Sequence, residues 1–403
     1  MNSEHLPTLL CLNEPNMDLD SLLVTYFDSG FTYLEIKEFL SFHHGNTVSL
    51  STIKRHLKKM NLVRRPLSDR RISQNDLNVL VREVVSSSGG NMGYRRVWQH
   101  LKRKGVVARR EDIRLAILAA DPVGVEFRKR KRLRRRKYFS SGPNSVWHLD
   151  GHDKLKPYGF SIHGCIDGFS RRIVWLDVSS SNKKPELIAT YYLNAVKQLG
   201  GVPKKLKADD GTEHSLIEPI HIALRDLSND EDVISSFSIV TSPLNQRIEA
   251  YWSKLKQDRM GWWKRLFQDM LDLDMFDPSD PVVLDCARFC FMTLIRKELI
   301  DIANEWNQHI ISKSLNGGPS GRPDTMYFLP HLFDCANHMQ PVRQDEVSEF
   351  EIGRNNLPLD FTLEFKEFAE ELMHEEGLSV PSDAHQALEL YIFLLEKIAL
   401  YSE

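Results

Sequence analysis

The sequence predicts an α/β domain with a mixed sheet, preceded by helical units and followed by a helical tail. One observation is that the hydrophobic period changes from helical to strand-like near Ser145. Another is the uneven charge. Residues 1–140 carry 27 Lys and Arg against 14 Asp and Glu, whereas residues 341–403 carry 4 against 15. A basic front is typical of a nucleic-acid-facing region, and an acidic end is typical of a solvated or protein-facing one.

The polar segment 1–20 is expected to be disordered, and residues 21–66 are predicted to form a helix-turn-helix unit. A helical pattern starts at Leu22 and ends at a glycine turn. Ser51 is then expected to be the N-cap of a helix over residues 52–60. The second helix of such a unit can lie in the major groove of DNA. We therefore predict DNA contacts by its outward cations, which are Lys54, Arg55, Lys58 and Lys59.

Residues 72–121 repeat this layout and are predicted to form a second helix-turn-helix-like unit. The alternative for both units is that they bind proteins, since small helical units are not specific to DNA. A basic linker is predicted over residues 122–142, where nine of the ten residues in 128–137 are cationic. Such a run can neutralise phosphates or act as a nuclear-import signal. The predicted DNA contacts in this linker are Arg130, Arg132, Arg134 and Arg135.

Residues 143–312 are predicted to form the α/β domain with a helical extension, and residues 313–403 a C-terminal region with an acidic helical tail. The element order β-β-β-α-β-α-β-α gives a mixed sheet flanked by helices. The predicted elements are strands 146–150, 160–166, 173–178, 206–209 and 237–241, and helices 185–199, 217–227 and 245–256. Residues 280–312 are the extension, and residues 387–400 are the clearest helix of the tail.

Three carboxylates lie at the ends of these elements. Asp150 ends the first predicted strand, Asp209 ends the fourth, and Glu249 lies one turn into the following helix. Mg²⁺ prefers oxygen ligands, and a pair of divalent ions can hold the attacking and leaving oxygens of a phosphoryl transfer. We predict that these residues are both the catalytic residues and the ligands of two Mg²⁺ or Mn²⁺ ions.

The segment from about residue 143 to 260 resembles the integrase catalytic core of the RNase H-like superfamily. In that family the first Asp lies on strand one, the second in a turn after strand four, and the Glu on the next helix. Asp150, Asp209 and Glu249 match these positions. The common Asn after the second Asp is Asp210 here, so Asp210 is an alternative ligand, although its place in the motif favours Asp209.

Further motifs resemble a group of animal integrase-core proteins that derive from integrase-bearing transposons. They are residues 142–152 (GPNSVWHLDGH), 245–249 (NQRIE), 306–309 (WNQH) and 321–324 (GRPD). Residues 165–175 (CIDGFSRRIVW) resemble the hairpin between strands two and three of the wider integrase family. The resemblance implies an RNase H-like five-stranded sheet, DNA as the partner, and a homo-oligomer. It also implies a DNA integrase or transposase that cleaves and transfers strands. Lys254 and Lys256, which extend the exposed side of the Glu249 helix, are predicted DNA contacts.

Two alternatives to this function stay open. One is a domesticated, catalytically inactive DNA-binding protein, and the other is a protein scaffold that binds a partner through its acidic tail. The five cysteines lack the spacing of a zinc site. No secretion signal and no apolar run of about 20 residues is evident, so we expect a soluble intracellular protein without a membrane partner. The basic run and the DNA partner favour the nucleus.

Overall fold

The computed structural model describes residues 17–62, 72–87, 92–130, 138–226, 233–241, 244–256, 259–313, 318–353, 357 and 359–401. Most of the segment that we expected to be disordered, residues 1–16, therefore lies outside the described residues. Within the ranges given, no helix is long and apolar enough to cross a membrane.

Helices make up most of the described chain. In chain order they are α1 (Leu19–Asp28), α2 (Tyr33–His44), α3 (Leu50–Lys59), α4 (Gln74–Ser87), α5 (Tyr94–Arg103), α6 (Arg110–Ala120), α7 (Pro122–Arg130), α8 (Pro185–Leu199), α9 (Ile217–Asp226), α10 (Gln246–Leu255), α11 (Met260–Asp272), α12 (Pro281–Gln308), α13 (Pro323–Phe328), α14 (Gln344–Ser348), α15 (Leu363–Glu375) and α16 (Ala384–Tyr401). The strands are β1 (Trp147–His152), β2 (Ser161–Asp167), β3 (Ile173–Ser179), β4 (Gly201–Val202), β5 (Leu206–Ala208), β6 (Phe237–Ile239) and β7 (Gln340–Pro341).

The first helical unit consists of α1, α2 and α3 around a shared apolar cluster that includes Tyr26, Phe39 and Leu57. The N-cap of α3 is Ser49 and not Ser51, the residue predicted from the sequence. The Ser49 hydroxyl accepts a hydrogen bond from the backbone N–H of Thr52 at 3.1 Å, which is the usual reach of an N-cap side chain. Ser51 lies inside the first turn and has no such role.

The second helical unit consists of α4, α5 and α6, which bury Leu77, Val97 and Ile113 between them. Residues 122–130 of the predicted basic linker form α7, which follows α6 after a break at Asp121, and the linker itself stays a prediction. The Asp121 carboxylate accepts a hydrogen bond from the N–H of Gly124 at 2.8 Å and so begins this helix. The division into domains otherwise stays a prediction.

Both helical units contact the region around the C-terminal end of α12. In the first unit, Glu35 pairs with the guanidinium of Arg322, which precedes α13. The His43 ring of the same unit contacts the carbonyl of Phe328 on α13 at 2.8 Å. In the second unit, the His100 ring lies 3.1 Å from a carboxylate oxygen of Glu305 on α12. These contacts connect the basic half of the chain to the sheet through α12 and α13.

The central sheet has five strands in the order β3-β2-β1-β5-β6. Strand β2 is antiparallel to both of its neighbours, whereas β1, β5 and β6 are parallel. The predicted mixed five-stranded sheet is therefore confirmed. A second, two-stranded sheet pairs β4 with β7 and was not predicted from the sequence.

The sheet is buried on both faces. On one face Trp147, Leu149 and Trp175 pack against α8 and α9. On the other face Ile162 and Leu176 pack in a cluster with α10, α11 and α12. Because both faces are covered, a ligand can reach this sheet only near the ends of its strands.

The acidic tail is part of the second of these clusters. Its helices α15 and α16 bury Phe365, Leu372 and Tyr391 in the apolar cluster that also includes α12. The tail is thus folded onto the core, and its acidic side chains occupy the opposite, exposed face of α15. They include Glu364, Glu367, Glu370 and Glu371.

Candidate metal centre

Two of the predicted carboxylates lie on or directly after the adjacent strands β1 and β5. Asp150 does not end β1 as predicted, because the pairing of β1 with β2 continues to His152. Parallel pairing of β1 with β5 aligns Trp147 with Leu206 and His148 with Lys207. If this register is continued by two residues, Asp150 lies beside Asp209, which directly follows β5. Sheet pairing therefore brings together two acids that are 59 positions apart in the sequence.

The third carboxylate, Glu249, lies in the first turn of α10, which packs against β1 and β2. Asn245, immediately before this helix, connects its start to β1. Its side-chain amide donates a hydrogen bond to the carbonyl of Leu149 at 2.7 Å, and its Oδ1 lies 2.7 Å from Nδ1 of His148. These buried contacts hold the start of α10 next to Asp150.

Trp252 is a second link between α10 and Asp150. Its indole Nε1 donates a hydrogen bond to Asp150 Oδ2 at 2.8 Å. Gly164 is the register partner of Asp150 on β2, and a Cβ at Gly164 would lie 2.8 Å from the Trp252 ring. The glycine therefore makes room for the ring. This role of Trp252 was not predicted from the sequence, although Trp252 lies three residues after Glu249 on the same helix face.

The three carboxylates influence one another electrostatically. Burial raises the pKa of Asp150 to about 7, and the negative charges of Asp209 and Glu249 add to this effect, while the Trp252 hydrogen bond opposes it. Burial also raises the pKa of Glu249, as does the charge of Asp209. Like charges that are held this close favour a bound cation.

The donor set fits a hard divalent cation. All three side chains offer oxygen, and Asp209 Oδ1 is buried without a hydrogen-bond partner among the described residues. Carboxylate oxygens suit Mg²⁺ and Mn²⁺ better than softer metals. Asp210 is exposed, whereas Asp209 is half-buried. This difference in burial favours Asp209 as the ligand.

A second group of possible ligands includes Asp209. One oxygen each of Asp209 and Glu213 and one ring nitrogen of His214 lie within 4.8 Å of one another. Glu213 and His214 belong to a 3₁₀ turn between β5 and α9. The role of His214 depends on which of its nitrogens carries the proton.

The histidines on either side of Asp150 have different environments. His148 is buried, and Tyr138 Oη contacts its Nε2 at 2.8 Å while Asn245 contacts its Nδ1. Burial lowers the pKa of His148 to about 3, so it is a neutral structural residue with both nitrogens paired. His152 instead stacks on the Trp252 ring, with centroids 4.9 Å apart.

His152, whose ring stacks on Trp252, lines a cavity of about 340 Å³. Lys256 at the end of α10 also lines it, as do Lys154 from the loop after β1 and Lys264 and Arg265 from α11. These four cations are exposed at the cavity mouth. The cavity therefore has a positive rim, and the stacked rings of His152 and Trp252 connect it to Asp150.

The predicted DNA contacts are distributed over three places. All four cations of α3 are exposed, and Lys54 lies 5.6 Å above the Tyr33 ring. Lys256 lines the cavity described above, and Lys254 is half-buried on the same helix. Arg130 is the last residue of α7, whereas Arg132, Arg134 and Arg135 lie outside the described residues.

The comparison with known families agrees with this geometry. Residues 137–326 match the family model described as integrase core domain, and this range includes Asp150, Asp209 and Glu249. A search of the curated proteins finds no match to the chain. Integrase cores belong to the polynucleotidyl transferase superfamily, generally use divalent metals, and bind DNA. This chain therefore contains an integrase core domain, with the RNase H-like fold, over residues 137–326.

Proposed function

We propose that this chain is a metal-dependent DNA strand transferase that cleaves a phosphodiester bond and joins the resulting end to a second DNA. One observation carries the proposal. Carboxylates from β1, from the end of β5 and from α10 come close together, where burial raises the pKa of Asp150 and the charges of Asp209 and Glu249 add to this effect. Such a group of acids destabilises the fold unless a bound cation neutralises it, and integrase cores generally use divalent metals.

Each carboxylate has a separate role in this proposal. Asp150, central by its register, would contact both cations, while Asp209 and Glu249 would each complete one site. When bound, two divalent ions stabilise charge on the attacking and leaving oxygens of the phosphodiester. Trp252 holds the Asp150 carboxylate in place, and Asn245 holds the start of α10 against β1.

The DNA would be bound by the exposed cations. The rim of the cavity beside His152, formed by Lys154, Lys256, Lys264 and Arg265, suits the phosphates next to the reacting bond. The α3 cations suit a more distant stretch of duplex, because α3 belongs to a separate helical unit. Phosphate contacts of this kind provide affinity and orientation rather than sequence specificity.

The expected nuclear location, homo-oligomer and protein partner of the tail belong to this proposal as well. A DNA substrate favours a nuclear location, and a strand transferase that joins two DNA ends favours a homo-oligomer. A protein partner of the tail would contact the exposed acidic face of α15, since the apolar face is already used within the chain.

An oligonucleotide strand-transfer assay with Mg²⁺ or Mn²⁺ tests the proposal. Asp150→Asn and Glu249→Gln are expected to reduce cleavage and joining to the metal-free background, because each removes a charged ligand while preserving side-chain shape. DNA binding, measured by fluorescence anisotropy in EDTA, is expected to persist. Asp153→Asn is the matched control, because its exposed carboxylate lies on the same segment but pairs with Lys156.

Wild-type activity in Asp150→Asn would refute the assignment of the site. If the wild-type chain binds DNA tightly but never cleaves or joins it with either metal, the inactive DNA-binding alternative is correct instead.

A further inference from the structure

Two buried histidines that contact each other are not used in the proposed function. His163 is on β2, and His214 is in the 3₁₀ turn after Asp209. Their Nε2 atoms are 3.5 Å apart, and both side chains are almost completely buried. A buried histidine pair that touches a candidate ligand is unusual enough to need an explanation.

The hydrogen-bond donors around this pair show which ring nitrogen of each histidine carries the proton. The indole Nε1 of Trp175 lies 3.1 Å from Nδ1 of His163. An indole N–H can only donate, so Nδ1 of His163 must accept and the proton of its neutral ring lies on Nε2. Burial keeps the pKa of His163 well below its ordinary value, which makes the ring neutral.

The proton of His214 is located in the same way. If Nε2 of His163 donates, then Nε2 of His214 accepts, and the proton of the neutral His214 ring lies on Nδ1. That Nδ1 is 3.5 Å from Oδ1 of Asp209. The distance is long for a hydrogen bond, but both atoms are buried and have no hydrogen bond of normal geometry among the described residues. The backbone carbonyl of Asp209 also lies near the His214 ring.

This assignment argues against His214 as a metal ligand. A nitrogen binds a metal through its lone pair, whereas Nδ1 of His214 carries the proton in the arrangement above. The Asp209–Glu213–His214 group is therefore better explained as a ligand with its supporting donor than as a three-ligand site. Ligating carboxylates are commonly oriented by such outer hydrogen bonds.

We propose that Trp175, His163 and His214 form a relay of hydrogen bonds that presents an N–H to Asp209 and orients its carboxylate for a divalent cation. The relay rests on the proposed function, because it supports Asp209 in its proposed role as a metal ligand. His214 is a positioning residue and not a catalytic one. The relay also explains why Asp209 rather than the adjacent, exposed Asp210 would be the ligand.

The first test is nitrogen NMR of the full chain labelled at histidine, without metal. His214 is expected to carry its proton on Nδ1 and His163 on Nε2, with resonances assigned from single variants. Trp175→Phe is expected to let His163 exchange between its two neutral forms. Trp147→Phe is the matched control, because its buried indole N–H donates to Asn144 and not to the relay. A proton on Nε2 of His214 in the wild type would overturn the proposal.

The second test is Mg²⁺ binding by titration calorimetry. His214→Leu is expected to weaken binding by about 10- to 100-fold, the usual effect of losing an outer-shell partner. His214→Asn is expected to remain within a few-fold of the wild type, because its amide can place an N–H near the former Nδ1. Equal affinity in His214→Leu and wild type would overturn the relay. So would loss of the Nδ1 proton when Mg²⁺ is added, which would indicate direct ligation.

These results can be separated from the fate of the proposed function. If strand transfer is never observed but the NMR and Mg²⁺ results are as expected, the relay stands and only the reaction is wrong. If strand transfer occurs and His214→Leu is unchanged in Mg²⁺ affinity, the relay is wrong and the reaction stands.

Discussion

The carboxylate edge of the sheet and the exposed face of α3 are both candidate functional surfaces, but they are held in opposite ways. At the carboxylate edge, Asp150 accepts a hydrogen bond from the indole N–H of Trp252, and the hydrogen bond from Asn245 to Leu149 connects α10 to β1. On α3, the four cations extend into solvent, and Lys54 near the Tyr33 ring is the exception with a close aromatic neighbour.

This difference matches what each surface has to do. A phosphoryl-transfer site needs ligands that are fixed within a fraction of an ångström, which requires buried supporting contacts. Phosphate binding tolerates movement, because the attraction between charges varies slowly with distance. Substitutions at the carboxylate edge should therefore change rates sharply, whereas substitutions on α3 should change affinity gradually and in a salt-dependent way.

The largest contrast is expected between two adjacent acids. Asp209→Asn should reduce strand transfer to the metal-free background, because it removes a ligand charge at the end of β5. Asp210→Asn should retain activity within about threefold, since an exposed acid outside the site supplies no ligand charge. The measurement is the single-turnover rate at saturating Mg²⁺. The reverse order of effects would make Asp210 the ligand and would also remove the basis for the histidine relay.

A smaller effect is expected from the residue that supports Asp150. Trp252→Phe keeps an aromatic ring against His152 but loses the N–H that holds the Asp150 carboxylate. The strand-transfer rate should fall by about 10- to 100-fold, as for other outer-shell partners of metal ligands. The loss should appear in the rate at saturating DNA rather than in DNA affinity.

Trp263→Phe is the matched control for this change. Trp263 is also buried and also donates its indole N–H to a carboxylate, but its partner is Glu298 on α12. Both variants should lose stability of about 1.5–3 kcal/mol, the value of a hydrogen bond to a charged group. If both variants lost activity equally, the Trp252 effect would reflect general stability and not the position of Asp150.

Part of the fold and of the carboxylate edge could be predicted from the sequence alone. The mixed sheet, and the places of Asp150 on β1 and of Asp209 directly after β5, follow from local alternation and turn residues. The predicted end of β1 at Asp150 was two residues early. The α11 helix was not predicted, although Met260, Trp263 and Phe267 recur at the helical period. The N-cap of α3 was misplaced by two residues, because both Ser49 and Ser51 are good caps and only the backbone decides between them.

Contacts between distant segments could not have been predicted. Trp252 and Asp150 are 102 residues apart, and His163 and His214 are 51 apart. No local pattern specifies which indole N–H meets which acid, because that depends on how α10 packs on the sheet. The acidic tail is a similar case, since its helical period was evident but its packing on α12 was not.

The smallest expected effect concerns the α3 face. Simultaneous replacement of Lys54, Arg55, Lys58 and Lys59 by Ala should leave the melting temperature nearly unchanged, because all four side chains are exposed. DNA affinity at low salt should fall by roughly tenfold or more. The slope of log affinity against log salt should become shallower by about 0.9 for each phosphate that the protein no longer neutralises. Lys366→Ala is the control, since this cation lies beside Glu370 on the acidic α15. An unchanged salt slope in the fourfold variant would mean that α3 does not bind phosphate, and the DNA-binding role would then rest on the cavity cations beside His152.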